Sequence, residues 1–77
     1  MPIIFAKDGY RFFFYSNEHD PIHVHVCCGG GEAIFDIEGV VELRESQRMK
    51  MDELRKALKL VRENQKLIME KWHEHLD

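Results

Sequence analysis

The hydrophobic pattern of this chain changes its period once, near Met51, and this change restricts the fold more than any other feature. Before that point, apolar residues alternate or form short groups that Gly and Pro interrupt, as strands and turns do. From Met51 onward the chain has no Gly or Pro, and a stripe recurs every three or four positions, as on one face of a helix. The stripe consists of Leu54, Leu58, Val61, Gln65, Ile68 and Trp72. We expect a helix from about 51 to 76, either continuous or divided near Glu63-Asn64-Gln65.

The residues before the helix predict four to five short antiparallel strands. Asp8-Gly9 is a hairpin signal, and the glycines at 29–31 favour a second reversal. The expected strands cover residues 2–6, 10–15, 22–28, 33–38 and, at an edge, 40–43, with a polar loop over 44–50. The sequence therefore predicts one α+β domain over residues 1–77, a two-layer structure in which a small sheet packs on one long helix or two short helices.

The length of 77 residues implies a small core, and dimerisation would add stability, so we expect a homodimer. Two adjacent cysteines, Cys27 and Cys28, do not form a secreted disulfide framework. No apolar run reaches the length of a membrane span, and the first residues lack the basic start of a signal peptide. These features predict a cytoplasmic protein that does not enter a membrane.

Charge is distributed unevenly along the chain, although the net charge is only −3. Residues 1–43 contain two basic and seven acidic residues, whereas residues 44–77 contain nine basic and seven acidic residues. Nucleic-acid-binding domains usually have a clear basic surface, and the chain as a whole does not. A basic strip on the C-terminal half remains compatible with this distribution.

Three of the five histidines and both cysteines fall within residues 19–28, around the predicted third strand. Alternate side chains of a strand point to opposite faces, so His23, His25 and Cys27 should share one face. If the following turn has two or four residues, the strand pairing places Asp36 on that face too. We expect this face to contact water, with the acidic side chains of Asp36 and Glu38 across from the imidazoles.

Four motifs stand out along the chain: Met1-Pro2-x-Ile4, Asn17-Glu18-His19-x-Pro21-x-His23-x-His25, Ala33-Ile34-Phe35-Asp36-Ile37 and a late helical tryptophan. Together these motifs resemble a known bacterial family, the domain of unknown function 4160. The chain departs from the family at Ile22, where a second proline is usual. The resemblance implies a small bacterial protein encoded beside another small domain, as in toxin–antitoxin pairs. It further implies a cognate protein partner and an RNA target, without assigning catalytic residues.

Acid–base chemistry on RNA is the first hypothesis for the histidine cluster. Histidine titrates near neutral pH, so a pair can accept one proton and release another, as ribonucleotide cleavage requires. The candidate catalytic residues are His23 and His25, with His19 as a third and Glu18 or Asp36 as the orienting carboxylate. Phosphate contacts could come from Arg11, Arg44 or Arg48, and base stacking from Tyr15. The acidic surroundings oppose this hypothesis.

Metal binding and protein binding are the alternatives. Imidazole, thiolate and carboxylate are ligands for a divalent metal such as zinc, although the spacing matches no standard zinc motif. The candidate ligands are His19, His23, His25, Cys27 and Asp36. The third interpretation has no chemistry at all: the histidine face is solvated surface or an interface for the partner protein.

Overall fold

The computed structural model describes residues 3–15 and 21–76, which form a five-stranded antiparallel sheet followed by two helices. The strands follow one another across the sheet in chain order, and each pairs with the next. The strands are β1 (Ile3–Lys7), β2 (Tyr10–Phe13), β3 (His23–Cys28), β4 (Gly31–Asp36) and β5 (Glu42–Gln47), and the helices are α1 (Met51–Glu63) and α2 (Gln65–Leu76). The predicted α+β class is confirmed.

The turn between β3 and β4 has two residues, Gly29 and Gly30, and it sets the register of the sheet. Both glycines have positive φ angles, 52° and 87°, which residues with a Cβ rarely adopt. Cys28 consequently pairs with Gly31, and the predicted register, with His23 opposite Asp36, is confirmed.

The core lies between one face of the sheet and the two helices. Alternate residues of β2, β3 and β4 point to this side, because side chains alternate along a strand. The buried apolar side chains of this core on the sheet are Tyr10, Phe12, Phe14, Ile22, Val24, Val26, Ala33, Phe35 and Ile37. From the helices, Ala57, Leu60, Val61, Ile68 and Trp72 pack against them. The opposite face of the sheet carries the histidines.

The prediction of a strand over 40–43 followed by a loop over 44–50 was wrong, because β5 covers Glu42–Gln47. Every residue of β5 is exposed, so the strand has no apolar alternation to reveal it. Its backbone pairs with β4, with an irregularity in the register between Ile34 and Phe35. An edge strand of this kind is stabilised by backbone hydrogen bonds on one side and needs no buried side chains.

The helical half divides at Asn64, as the alternative of a divided helix predicted. The Asn64 side chain donates a hydrogen bond to the Leu60 carbonyl at 2.8 Å. The Gln65 side chain donates to the carbonyls of Ile37 and Gly39 at 2.6 and 2.7 Å. These two hydrogen bonds hold the first residue of α2 against the segment that follows β4. Neither helix in the described ranges is long and apolar enough to cross a membrane.

Candidate histidine site

Strand β3 places His23, His25 and Cys27 on the sheet face opposite the helices. Their pairing partners on β4 are Asp36, Ile34 and Glu32, respectively, and Phe13 of β2 lies opposite His25. We call this surface the histidine face, defined by Phe13, His23, His25, Cys27, Glu32, Ile34 and Asp36. The alternation of a single strand and the glycine turn are sufficient to bring these side chains to the same side.

The two imidazoles are not water-facing, and this part of the prediction was wrong. His23 is only 5% exposed and His25 only 6%. The ring of His25 stacks on Phe13 at 5.3 Å between centroids and meets the edge of Tyr15 at 4.6 Å. The ring of His23 lies 5.2 Å from Trp72 and 5.4 Å from His25. These neighbouring rings therefore cover a large part of both imidazoles.

Both imidazoles are held at the same ring nitrogen by an oxygen acceptor. His23 Nδ1 donates to the Pro21 carbonyl oxygen at 2.8 Å, and His25 Nδ1 donates to Glu32 Oε2 at 2.9 Å. A carbonyl and an ionised carboxylate can only accept, so Nδ1 carries the proton in each ring. In a neutral imidazole the lone pair is then on Nε2, which is the nitrogen able to accept a proton or bind a metal.

The two carboxylates of the face are each paired with a nitrogen group. Asp36 Oδ1 accepts from Arg44 Nε at 2.8 Å and lies 2.5 Å from Arg44 Nη2, whereas Glu32 pairs with His25. Asp36 was expected to orient an imidazole, but in the described structure its hydrogen-bond donor is Arg44. Glu32 does the orienting. Pairing of Asp36 with Arg44 also reduces the repulsion that the acidic sequence predicted for a phosphate.

Glu32 was missed from the sequence because the fourth strand was expected to begin at Ala33. The structure begins β4 at Gly31, which places Glu32 opposite Cys27 and diagonally across from His25. The register predicted for a two-residue turn already places position 32 opposite Cys27. Extending the strand to the two-residue turn would have identified the carboxylate.

Cys27 lies at the far end of the face from the imidazole of His23, between Glu32 and Arg11. Partial burial raises the pKa of the Cys27 thiol above its ordinary value, and the charge of Glu32 raises it further, while Arg11 lowers it. At neutral pH the group is therefore a thiol rather than a thiolate, which makes it a weak nucleophile.

Two predicted site residues, Glu18 and His19, lie outside the described residues. Within the described residues, no three His, Cys, Asp or Glu side chains are arranged to hold a metal ion. The described part of the face therefore contributes two imidazoles, one orienting carboxylate and one arginine–aspartate pair.

Comparison of the sequence with models of protein families gives a match over residues 9–73 to the family described as Domain of unknown function (DUF4160). The match includes β2 to β5, the residues before and after the histidine strand, and nearly all of the helical half. No curated protein and no solved structure matches the chain.

Proposed function

Since this chain belongs to the DUF4160 family, whose description names no activity, we propose from the site itself that it acts on RNA through His23 and His25. We further propose, from the gene arrangement that the resemblance implies, that it is one component of a two-gene, toxin–antitoxin-like module. The observation that carries this proposal is the anchoring of both rings at Nδ1, by Pro21 O and Glu32 Oε2. Proton transfer to and from a substrate requires imidazoles of fixed orientation, and hydrogen bonding at Nδ1 fixes both rings and leaves Nε2 as the basic nitrogen.

The different anchors give the two histidines different roles. His25 donates to a carboxylate, which stabilises the imidazolium that forms when the ring accepts a proton, so His25 is the general base. It removes the proton of a ribose 2′-hydroxyl, whose oxygen bonds to the adjacent phosphorus. The bond from phosphorus to the 5′-oxygen breaks, and His23, in its protonated form, gives its Nε2 proton to that oxygen. The products are a cyclic phosphate and a 5′-hydroxyl.

Neighbouring side chains supply the contacts that this reaction needs. Tyr15 is 41% exposed beside His25, and a base of single-stranded RNA can stack on its ring. Arg44 and Arg11 are the cations of this side of the sheet that can contact the phosphate. His19 and Glu18, on the segment that leads to β3, are proposed as further members of the site.

The test compares wild-type protein with the His23→Ala/His25→Ala variant and with Cys27→Ala, which alters the same face without removing an imidazole. Each purified protein is incubated with unstructured RNA, and each is induced in a bacterium with and without the neighbouring gene. We expect cleavage and growth arrest from wild type and Cys27→Ala, and neither from the double variant. Equal behaviour of all three proteins would exclude the proposal.

Metal binding is a second candidate, favoured by the same Nδ1 anchoring, because histidines that bind a metal usually donate their other nitrogen to an oxygen acceptor. His23 and His25 would be two ligands, and His19, outside the described residues, would have to supply a third, because Cys27 and Asp36, which the sequence also offered, are not arranged with the two imidazoles to hold a zinc-type ion. Elemental analysis of untagged protein tests this candidate. One zinc per chain, lost in His23→Ala/His25→Ala, supports it, and a metal-free protein with a normal melting temperature excludes it.

We also propose a homodimer that forms through the exposed edge of β5. Antiparallel pairing about a two-fold axis at Leu43 places Glu42 of one copy opposite Arg44 of the other, twice, with Leu43 opposite itself. Leu43 is 45% exposed, which is unusual for a leucine beside a strand edge. Charge complementarity and the exposed apolar side chain both favour a second copy of this chain at this edge. The cognate protein of the module would then bind elsewhere.

A further inference from the structure

Four cations form a stripe on the side of the helices that faces away from the sheet. They are Arg55, Lys59, Arg62 and Lys66, and we call them the basic stripe. Their spacings of four, three and four residues place them on one face of a helix. All four are exposed, whereas Ala57, Leu60, Val61 and Ile68 on the other side of the helices are buried.

The division at Asn64 leaves the stripe continuous. The Asn64 N–H donates to the Leu60 carbonyl at 3.1 Å, and the Ile68 N–H donates to the Asn64 carbonyl at 2.9 Å, so the helical hydrogen bonds continue on both sides. At about 1.5 Å per residue, the stripe extends over about 16 Å.

No acidic side chain in the described ranges forms an ion pair with any of these four cations. An open groove beside α1 contains acidic residues, but its Asp8 pairs with Lys56 at 3.3 Å rather than with the stripe. Asp52 and Glu63 line the same groove as Arg55 and Lys59, but in the described ranges neither carboxylate is within ion-pair distance of them. Unpaired cations in a row are suited to a partner with regularly repeated negative charges.

The helix that carries the end of the stripe also contacts the histidine face, through a residue on its buried side. Trp72 lies six residues beyond Lys66 in α2, about 9 Å along the helix. Its ring contacts Phe14 on the core side of the sheet at 5.3 Å and His23 on the other side at 5.2 Å. α2 therefore connects the basic stripe with the imidazole pair around the end of the sheet.

We infer that the basic stripe binds the phosphate backbone of the same single-stranded RNA whose cleavage we propose for His23 and His25, and so holds the strand on the protein for cleavage. This inference rests on the proposed function. The basic stripe would add four phosphate contacts to those of Arg11 and Arg44 on the histidine face. An acidic protein surface is the competing occupant, and a single-stranded polyanion is favoured because its phosphates repeat along its length as the four cations repeat along the helices.

The test measures binding of a fluorescent oligouridine as a function of salt. Each phosphate neutralised on a single strand contributes a slope of about −0.7 to the logarithm of affinity against the logarithm of salt, so four contacts give about −2.8. Wild-type affinity should then fall about 50-fold between about 50 and about 200 mM salt. The variant with Gln at all four stripe positions should bind with most of this slope removed.

The matched control replaces four other cations, Lys7, Lys50, Lys56 and Lys71, with Gln, giving the same net charge. It should keep the wild-type slope, in particular because Lys56 and Lys71 already have acidic partners. Equal losses in the two variants would show general charge attraction and overturn the inference. So would a stripe variant that binds RNA normally but no longer co-purifies with the protein encoded by the neighbouring gene.

The inference and the proposed function can fail separately. The His23→Ala/His25→Ala variant should lose cleavage and keep the full salt slope, whereas the stripe variant should lose the slope and still cleave at saturating RNA. Binding with the expected slope but without cleavage by wild type would remove the catalytic proposal and leave the stripe in place. A stripe variant that cleaves RNA and binds it with unchanged affinity would remove the inference about the stripe and leave the catalytic proposal in place.

Discussion

Replacement of Glu32 by Gln is the perturbation that most specifically tests how the histidine face works. Gln keeps the shape of the side chain and an oxygen that can accept from His25 Nδ1, so the fold should not change. What disappears is the negative charge that lies 2.9 Å from the ring and stabilises the imidazolium. The variant therefore removes assistance to proton transfer without removing the histidine.

The expected size of the effect follows from the loss of charge in one hydrogen bond. Hydrogen bonds to charged groups contribute about 1.5–3 kcal/mol and neutral ones about 0.5–1.5 kcal/mol, a difference of about 1 kcal/mol at the lower end. The lower end applies because the Glu32 side chain is 37% exposed and water screens its charge. A barrier higher by about 1 kcal/mol slows cleavage about fivefold.

The assay is single-turnover cleavage of a fluorophore-labelled RNA at saturating protein, with Glu45→Gln as the control. Glu45 is exposed on β5 opposite Ile34, so its replacement removes the same charge from the same region without a described contact to His25. Glu32→Gln should cleave about fivefold more slowly than Glu45→Gln. A Glu32→Gln rate equal to or above that of the control would refute the role of His25 as a carboxylate-assisted base.

Three further predictions concern stability, reactivity and assembly. A Cβ added to Gly31 would clash with the Arg48 carbonyl oxygen, so Gly31→Ala should lower the free energy of unfolding by about 1–3 kcal/mol and the melting temperature by at least about 4 °C. Gly39→Ala, whose Cβ meets no atom, should show only the smaller cost of its positive φ, and equal melting temperatures of the two variants would contradict the close packing of β4 against residues 48–49. Burial and a neighbouring carboxylate raise the pKa of Cys27. In a variant without the adjacent thiol of Cys28, alkylation of Cys27 should therefore be slower than that of an exposed cysteine at pH 8, and it should accelerate only as pH rises past the ordinary thiol range. The same raised pKa favours the folded state below the ordinary thiol pKa, and this contribution to stability is lost as pH rises through the pKa of the folded protein. Leu43→Glu should convert the proposed dimer to a monomer in light scattering because it places two like charges at the two-fold axis, and a wild-type protein that is already monomeric would exclude this interface.

The features that could be predicted from the sequence are those that depend on local repetition. Alternation along residues 22–28 and the glycine turn fixed the face and the register of His23 and His25, and the helical spacing after Met51 located the helices. These signals are carried by several residues each, so an error at one position does not change the result.

The features that could not be predicted depend on contacts between distant residues. Burial of the imidazoles results from Phe13 on the neighbouring strand and Trp72 nearly fifty positions further on, and no local pattern specifies that these rings meet. The fifth strand was expected at the edge, but its bounds were wrong because an exposed edge strand has no apolar pattern that locates its ends. The pairing of Asp36 with Arg44 likewise depends on where β5 runs, so the sequence did not indicate that Asp36 contacts an arginine rather than an imidazole.

A nitrogen-15 NMR spectrum of the imidazole rings tests most directly whether both histidines present Nε2 as the proton-accepting nitrogen. The spectrum is recorded at about pH 8.5, where unperturbed imidazoles are neutral, and the two rings are assigned with His23→Gln and His25→Gln variants. We predict a protonated Nδ1 and an unprotonated Nε2 in both rings, because Pro21 O and Glu32 Oε2 can only accept. A proton on Nε2 of either ring would contradict the acid–base site.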